Sequence, residues 1–219
     1  MARLAAITTE TKENVDSSVI WLHGLGADGN DFAPIVPELR LPEDMGVRFI
    51  FPHAPSIPVT INGGYVMPAW YDILDMEIDR RLDVDQLRMS AAIIRELIDV
   101  EQQRGVACER ILVAGFSQGG AVAYETALSY PSRLGGLLAM STYFATKESV
   151  HLHDANRELS IEIHHGMHDE VVPLQLGKKA LEALQEKGYT VRYREYEMQH
   201  GVCAEQIDDI SAWLQDRLR

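Results

Sequence analysis

Residues 110–130, RILVAGFSQGGAVAYETALSY, decide the fold that we predict for this chain. The stretch opens on a short apolar run, residues 111–114, which is typical of a strand buried on both faces. It closes on an alanine-rich run, residues 121–128, which has helical character and ends before Pro131. Ser117 lies between them, where the strand becomes a helix.

The turn between these two elements reads Gly115-Phe116-Ser117-Gln118-Gly119, a match to G-x-S-x-G. A short pattern of this kind is weak evidence alone, but a strand before it and a helix after it are the context that a nucleophile elbow requires. Side chains at Gly115 and Gly119 would collide across such a sharp turn. We therefore predict that Ser117 is held in a strained conformation with its hydroxyl clear of the backbone.

Size and charge limit the classes of function. The chain has 219 residues, which suits one α/β domain over residues 1–219. The net charge is −13, from 33 acidic and 20 basic residues. This balance argues against nucleic acid as a partner and against stable association with anionic membranes.

Targeting features are not evident in the sequence. The first residues contain no sustained apolar region of the kind found in signal peptides, and no apolar run reaches the length of a membrane span. Cys108 and Cys203 make no disulfide framework. We expect a cytoplasmic protein, and a homodimer is left open.

Strands and helices alternate along the chain. The expected strands are residues 17–22, 47–51, 111–114, 134–140, 159–165 and 190–196. The expected helices are residues 31–39, a long one from Asp83 or Asp85 to Arg104, 121–128, 176–187 and 204–218. This order predicts an α/β fold with a mostly parallel central sheet and helices on both faces.

One excursion, residues 52–83, interrupts the alternation. Asn62-Gly63-Gly64 predicts a hairpin turn, and Trp70 follows it. An excursion of this length is either disordered or functional, and its apolar content favours a functional rim. It is too short for a separate cap domain.

Four segments follow the carboxyl ends of predicted strands, the edge where ligands bind in such sheets. They contain Leu25 in a glycine-rich loop, Ser117, Asp169 and His200. The order Ser117, Asp169, His200 is the chain order of nucleophile, acid and base in α/β-hydrolases. The backbone N–H groups of Leu25 and Gln118 are the expected oxyanion donors.

Other residues compete for these roles. His164 and His165 lie in a strand and are more typical of core histidines, whereas His200 is the histidine downstream of Asp169. Glu170 is the nearest rival acid. A metal site built from His164, His165, His168 and His151 or His153 is disfavoured, because adjacent strand residues point to opposite faces.

The motifs LHGLGADG, PHAP, AWYD, GFSQGG, HGMHDEVVP and MQHGVCAEQIDDISAWL occur in this order. Together they resemble the small carboxylesterase and phospholipase family of α/β-hydrolases that includes acyl-protein thioesterases. The resemblance implies the catalytic residues Ser117, Asp169 and His200, the oxyanion donors Leu25 and Gln118, and no cofactor. It also implies an acyl pocket near Trp70, for which we expect the lining residues Leu25, Met67, Trp70, Leu74 and Val171. Gly201 departs from the small hydroxyl residue expected after the base.

The expected activity is hydrolysis of short- to medium-chain carboxylic esters through an acyl-enzyme on Ser117. Alternatives are a thioesterase acting on acylated proteins, a lysophospholipase, or a non-catalytic ligand-binding protein on a hydrolase scaffold. Because no cap domain is expected, the groove should be open to water, and the rate should not jump when a substrate aggregates.

Overall fold

A computed structural model describes residues 4–75 and 81–219. Seven strands of the described residues form one sheet in the order β1-β3-β2-β6-β7-β8-β9, and β4 and β5 form a separate hairpin. The strands are β1 Ala6–Glu10, β2 Ser17–Leu22, β3 Val47–Pro52, β4 Ser56–Val59, β5 Tyr65–Pro68, β6 Ile111–Phe116, β7 Gly136–Met140, β8 Ile161–Gly166 and β9 Val191–Tyr196. All pairings from β3 to β9 in the large sheet are parallel, as predicted.

Helices cover both faces of this sheet. They are α1 Ile35–Glu38, α2 Val84–Gln103, α3 Gln118–Ser129, α4 Leu174–Glu186 and α5 Ala204–Leu218. Successive strand residues point to opposite faces. Ile111 and Val113 therefore pack in the cluster under α2, α3 and α4, whereas Leu112 and Ala114 pack in the cluster under α1 and α5. The central strands are buried on both sides, which explains their continuous apolar runs.

The edge strand β1 was not predicted. It pairs antiparallel with β3, with Ile7 opposite Phe51. None of its residues is buried, and its sequence, Ala-Ile-Thr-Thr-Glu, has neither a continuous apolar run nor a regular alternation of apolar and polar residues. Pairing with the exposed side of β3 decides its conformation.

Two helices begin three or more residues away from the predicted position, and a third helix decides between two predicted caps. The helix expected over residues 31–39 is only the four-residue α1, with prolines at positions 34 and 37. The helix after the elbow begins at Gln118 rather than at position 121, so that Gly119 and Gly120 lie inside its first turn. The long helix α2 is capped by Asp83, whose carboxylate accepts a hydrogen bond from the Gln86 N–H at 2.9 Å, and not by Asp85.

The predicted hairpin in the excursion is present. The turn contains Gly63 and Gly64, both at positive φ, and residues 60–62 form a short 3₁₀ helix instead of continuing the strand. Residues 76–80, the last part of the excursion before α2, lie outside the described residues. The described residues contain no separate cap domain, and the hairpin packs at the carboxyl edge of the sheet.

Candidate active site

The elbow at Ser117 is strained. Ser117 has φ 53° and ψ −121°, a conformation that costs a non-glycine residue of the order of 1–3 kcal/mol. Neighbouring contacts impose it: the Ser117 N–H donates to the Met140 carbonyl at 2.9 Å, and its carbonyl accepts from Thr142 Oγ1 at 2.6 Å. The last residue of β7 and the loop after it therefore hold the serine at the tip of the turn.

Glycines make this turn possible. A side chain at Gly115 would place Cβ 2.4 Å from the Gly119 carbonyl oxygen. One at Gly119 would place Cβ 2.5 Å from the His23 carbonyl oxygen. The predicted collision across the turn is confirmed for Gly115, whereas Gly119 is required by the close approach of the end of β2 and the loop after it.

Three predicted residues meet in one chain of hydrogen bonds. Ser117 Oγ lies 3.0 Å from His200 Nε2, and His200 Nδ1 lies 2.7 Å from Asp169 Oδ2. Because the Nδ1 proton is donated to the carboxylate, Nε2 is the ring atom left to accept the serine proton. The His200 ring also packs on Phe116, with 4.7 Å between ring centroids. The three segments come from the ends of β6, β8 and β9.

The Asp169 carboxylate is buried and ionised. Burial is the largest influence on its pKa and raises it, but hydrogen bonds from His200 and the Val172 N–H, with the nearby histidines, hold the pKa below its ordinary value. Its other oxygen accepts from the N–H groups of Val171 and Val172, at 2.9 and 2.7 Å. Glu170, the rival acid, is exposed, and the carboxylate that contacts His200 is that of Asp169.

The strand histidines have other partners. His164 Nε2 lies 3.0 Å from Glu162 Oε2, and both side chains are buried. His165 Nε2 donates to the Val172 carbonyl at 2.8 Å, which supports the turn around the Asp169 carboxylate. Burial lowers the pKa of His165, so the ring is neutral. In residues 4–75 and 81–219 no group of three or more His, Cys, Asp or Glu side chains is arranged to hold a metal ion.

The glycine-rich loop after β2 brings Leu25 to the same edge. His23 Nδ1 donates to the Gly24 carbonyl at 2.8 Å, and Nε2 accepts from the Ala54 N–H at 3.0 Å. Burial lowers the pKa of His23, which keeps this neutral tautomer. Gly26 has φ 77°, a left-handed conformation that favours glycine.

Two N–H groups are left available at this edge. Among the described residues, no protein group accepts a hydrogen bond from the backbone N–H of Leu25. Gln118 is the first residue of α3, so its N–H has no acceptor within the helix. In the part of the chain that the structure describes, the Leu25 N–H thus has no backbone acceptor and the Gln118 N–H has none within its helix.

The expected pocket residues occupy different positions. Leu74 and Val171 are 40% and 47% exposed, and Met67 lies close to Gly26, whose hypothetical Cβ would be 3.8 Å from the Met67 sulfur. Leu25 is half-buried. Trp70 is 2% exposed, and its indole N–H donates to the His23 carbonyl at 2.9 Å. Trp70 thus lies behind the glycine-rich loop rather than on the open surface.

Sequence reasoning missed the side chain of Gln118. Its Oε1 accepts from the Trp70 N–H at 2.8 Å, and its Nε2 donates to the Tyr71 carbonyl at 2.7 Å. These partners lie 48 and 47 residues away along the chain. No local pattern signals a contact of that separation, so only the folded structure reveals it.

Comparisons with known proteins agree with this geometry. A family model described as phospholipase/carboxylesterase matches residues 4–218. A protein named acyl-protein thioesterase 1 from Gibberella zeae is 35% identical over 227 residues, covering 99% of this chain and 97% of that protein. One of the same name from Neurospora crassa is 37% identical over 213 residues, covering 92% of this chain and 87% of that protein.

Solved structures show the same fold. The crystal structure of Zea mays acyl-protein thioesterase 2 has a TM-score of 0.85 at 26% identity and covers 98% of this chain and 99% of that one. Arabidopsis thaliana SOBER1 has a TM-score of 0.86 at 28% identity, covering 93% and 99%. The chain therefore belongs to the phospholipase/carboxylesterase family of α/β-hydrolases and is a serine hydrolase with the fold of an esterase.

Proposed function

We propose that this protein hydrolyses carboxylic esters through an acyl-enzyme on Ser117, with His200 as base and Asp169 as acid. One observation carries the proposal: a continuous chain of hydrogen bonds joins the Asp169 carboxylate, the His200 ring and the Ser117 hydroxyl at a strained elbow. A serine hydroxyl at neutral pH is a weak nucleophile and needs a base that is oriented in this way.

In the first half of the reaction, Ser117 Oγ attacks the ester carbonyl carbon while His200 Nε2 accepts the hydroxyl proton. The carbonyl oxygen becomes an oxyanion, which accepts hydrogen bonds from the N–H groups of Leu25 and Gln118. The imidazolium then donates its proton to the leaving alcohol, and the carbon–oxygen bond of the ester breaks. Asp169 remains ionised and stabilises the charged ring.

In the second half, water attacks the acyl-enzyme and His200 Nε2 accepts a proton from it. Collapse of the new tetrahedral intermediate releases the carboxylic acid and returns the proton to Ser117 Oγ. Each step uses only side chains and backbone groups of this chain. We propose no cofactor or metal for the reaction.

The proposed substrates are dissolved esters with short to medium acyl chains. The exposed side chains of Leu74 and Val171, with Met67 beside the glycine-rich loop, supply an apolar rim for an acyl chain. Such a rim is accessible without opening a lid, so the rate should follow monomeric substrate with no burst at the aggregation threshold. Among residues 4–75 and 81–219, no helix is long and apolar enough to cross a membrane.

A thioesterase acting on S-acylated proteins is the second candidate. The names of the fungal relatives favour it, because both are called acyl-protein thioesterases and one of them matches over nearly the full length of this chain. The acyl-enzyme chemistry is the same, since a thiolate leaves in place of an alkoxide. A lysophospholipase role is the remaining alternative, and it shares the same nucleophile.

Labelling and a substrate panel test these proposals. A fluorophosphonate should modify Ser117 in one-to-one stoichiometry, and peptide mapping locates the adduct. Matched oxygen esters and thioesters of two to sixteen carbons then rank the leaving groups and chain lengths. Modification of another serine would overturn the assignment of the nucleophile, and a protein that hydrolyses neither class would be a binding protein instead.

A further inference from the structure

The side chain of Gln118 is buried and uses both ends of its amide. It is 1% exposed, and its two hydrogen bonds go to the backbone of Trp70 and Tyr71. A buried amide with both ends bonded holds its partners in one geometry, because breaking either bond leaves an unsatisfied polar group. The residue after the nucleophile is thereby tied to the segment that follows the hairpin.

The same segment is tied to the glycine-rich loop on both sides of Leu25. Before Leu25, the His23 carbonyl accepts the Trp70 indole N–H at 2.9 Å, and the two rings are 5.1 Å apart. After Leu25, the Gly26 N–H donates to the Pro68 carbonyl at 2.8 Å. Trp70 and Pro68 therefore form hydrogen bonds with the loop on either side of the Leu25 N–H.

Hydrogen bonds thus connect the Gln118 side chain to Trp70, and Trp70 to the loop that contains Leu25. The proposed oxyanion donors follow β2 and β6, which pair as far as Leu22 and Gly115, so the sheet fixes where the loop begins but not where the Leu25 N–H lies three residues further on. An oxyanion hole functions only when both donors lie about 2.7–3.1 Å from the developing charge. Something must fix the loop relative to the elbow.

We propose that the Gln118 side chain and the Trp70 indole N–H are positioning groups that fix the Leu25 N–H relative to Ser117. This inference rests on the proposed function, in which Leu25 and Gln118 donate to the oxyanion. Gln118 would then have two roles. Its backbone N–H donates a hydrogen bond to the oxyanion, and its side-chain amide aligns the other donor, the Leu25 N–H. It also gives Trp70 a role in support of the transition state instead of in the acyl pocket.

Packing alone is the competing explanation, and matched variants separate the two. Gln118→Met and Gln206→Met each remove a buried amide, but Gln206 has no hydrogen-bond partner for either amide atom among the described residues. Trp70→Phe and Trp213→Phe each change an indole that is 2% exposed, and the Trp213 Nε1 has no partner in the described ranges. Each control makes the same substitution as its test variant but removes no hydrogen bond among the described residues.

The main measurement is kcat per active site, with sites counted by fluorophosphonate titration. We expect Gln118→Met to lower kcat roughly 10- to 100-fold and Trp70→Phe to lower it about 10-fold, because the alignment of one donor is degraded and not abolished. The controls Gln206→Met and Trp213→Phe should stay within about 2-fold, since neither removes a hydrogen bond among the described residues. KM should change little.

Affinity for an alkylboronic acid provides the readout that packing would not move. Its tetrahedral adduct with Ser117 places an oxygen in the oxyanion hole, so its affinity should fall by the same factor as kcat/KM. The acidic limb of the pH–rate profile should not shift, because neither variant alters the contacts of His200 or Asp169. If Gln118→Met does not fold, Trp70→Phe alone decides the result.

Full kcat per active site with only a lower melting temperature would overturn the inference, as would a loss of kcat with unchanged boronate affinity. These results differ from failure of the proposed function itself. In that case the wild-type protein would hydrolyse neither ester nor thioester, and both claims would fall. If the wild type is active, Ser117→Ala is inactive and Trp70→Phe has normal kcat, the proposed function stands and only the positioning role is refuted.

Discussion

Two carboxylate–histidine pairs, one within β8 and one formed by the loops after β8 and β9, have different surroundings. Asp169 and His200 are 2.7 Å apart, and Glu162 and His164 are 3.0 Å apart. His164 is fully buried, whereas His200 is half-buried and turns its second nitrogen to Ser117. The Nδ1 of His164 faces the Tyr196 hydroxyl at 3.3 Å.

The carboxylates also differ in their further partners. Glu162 contacts Arg192 at 2.9 Å and Arg194 at 3.8 Å, both permanently charged, and Asp169 receives backbone N–H groups instead. The two arginines supply fixed positive charge to the Glu162 carboxylate, and we infer that the Glu162 pair serves structure. A carboxylate–histidine pair becomes reactive only when the free ring nitrogen reaches a nucleophile. Substitutions in the two pairs should therefore have different effects, with the largest loss of rate at the nucleophile.

Removing the nucleophile should have the largest effect. Ser117→Ala should lower kcat/KM by roughly 10⁴-fold or more while the protein still folds, because the His200 pair is left without its serine. Ser141→Ala is a matched control, since Ser141 is another buried serine at a strand end with positive φ. Steady-state hydrolysis of a chromogenic ester measures both. Equal losses in the two variants would contradict the assignment.

Removing the charge of the acid should come next. Asp169→Asn should lower kcat by about 10³- to 10⁴-fold, because an amide favours the wrong tautomer of His200. Glu170→Gln is the neighbouring control and should cost little, since Glu170 is exposed. If the two variants behaved in the opposite way, the acid would be Glu170.

The Glu162 pair should respond in stability and not in chemistry. Glu162→Gln leaves His164 and two arginines without their carboxylate and should lower the free energy of unfolding by roughly 1–3 kcal/mol. The lower part of that range is expected because Arg192 is largely exposed. Urea denaturation measures the loss. A large fall in kcat per active site would show that this pair also serves catalysis and would break the contrast.

Acid should weaken the contribution of Asp169 to stability. Its pKa is depressed in the folded protein, so the contribution is fully present above the ordinary aspartate pKa of about 4 and is lost as the pH falls through the depressed value. The difference in unfolding free energy between wild type and Asp169→Asn should therefore shrink on acidification. Denaturation midpoints at several pH values measure it, and a difference that grew in acid would reverse the sign of the assigned shift.

The smallest effect is expected at Gly201, directly after the base. A Cβ added there meets no atom within 4 Å. Gly201→Ser should change stability by no more than about 0.5 kcal/mol and leave the rate nearly unchanged. A marked gain or loss of kcat would show that the residue after His200 tunes the base.

Much of the fold was predictable because apolar runs and turn residues act locally. The strand–Ser117–helix unit, the hairpin glycines and the final helix Ala204–Leu218 appear as expected. The edge strand β1 was missed because its pairing with β3, and not its composition, decides it. The hairpin was predicted and is present in the excursion over residues 52–83. Residues 76–80 of that excursion lie outside the described residues. The cytoplasmic location and the homodimer stay predictions.

The amino-acid sequence alone specifies which chemical groups this protein has and which of them follow strands. Chain order and strand ends were enough to name Ser117, Asp169 and His200 as candidates, because parallel strands deliver their carboxyl ends to one edge. The connection of Gln118 and Trp70 to the loop of Leu25 became visible in the folded chain, since these contacts span about fifty residues and depend on packing. Local patterns specify which groups meet, and long-range packing specifies the distances between them.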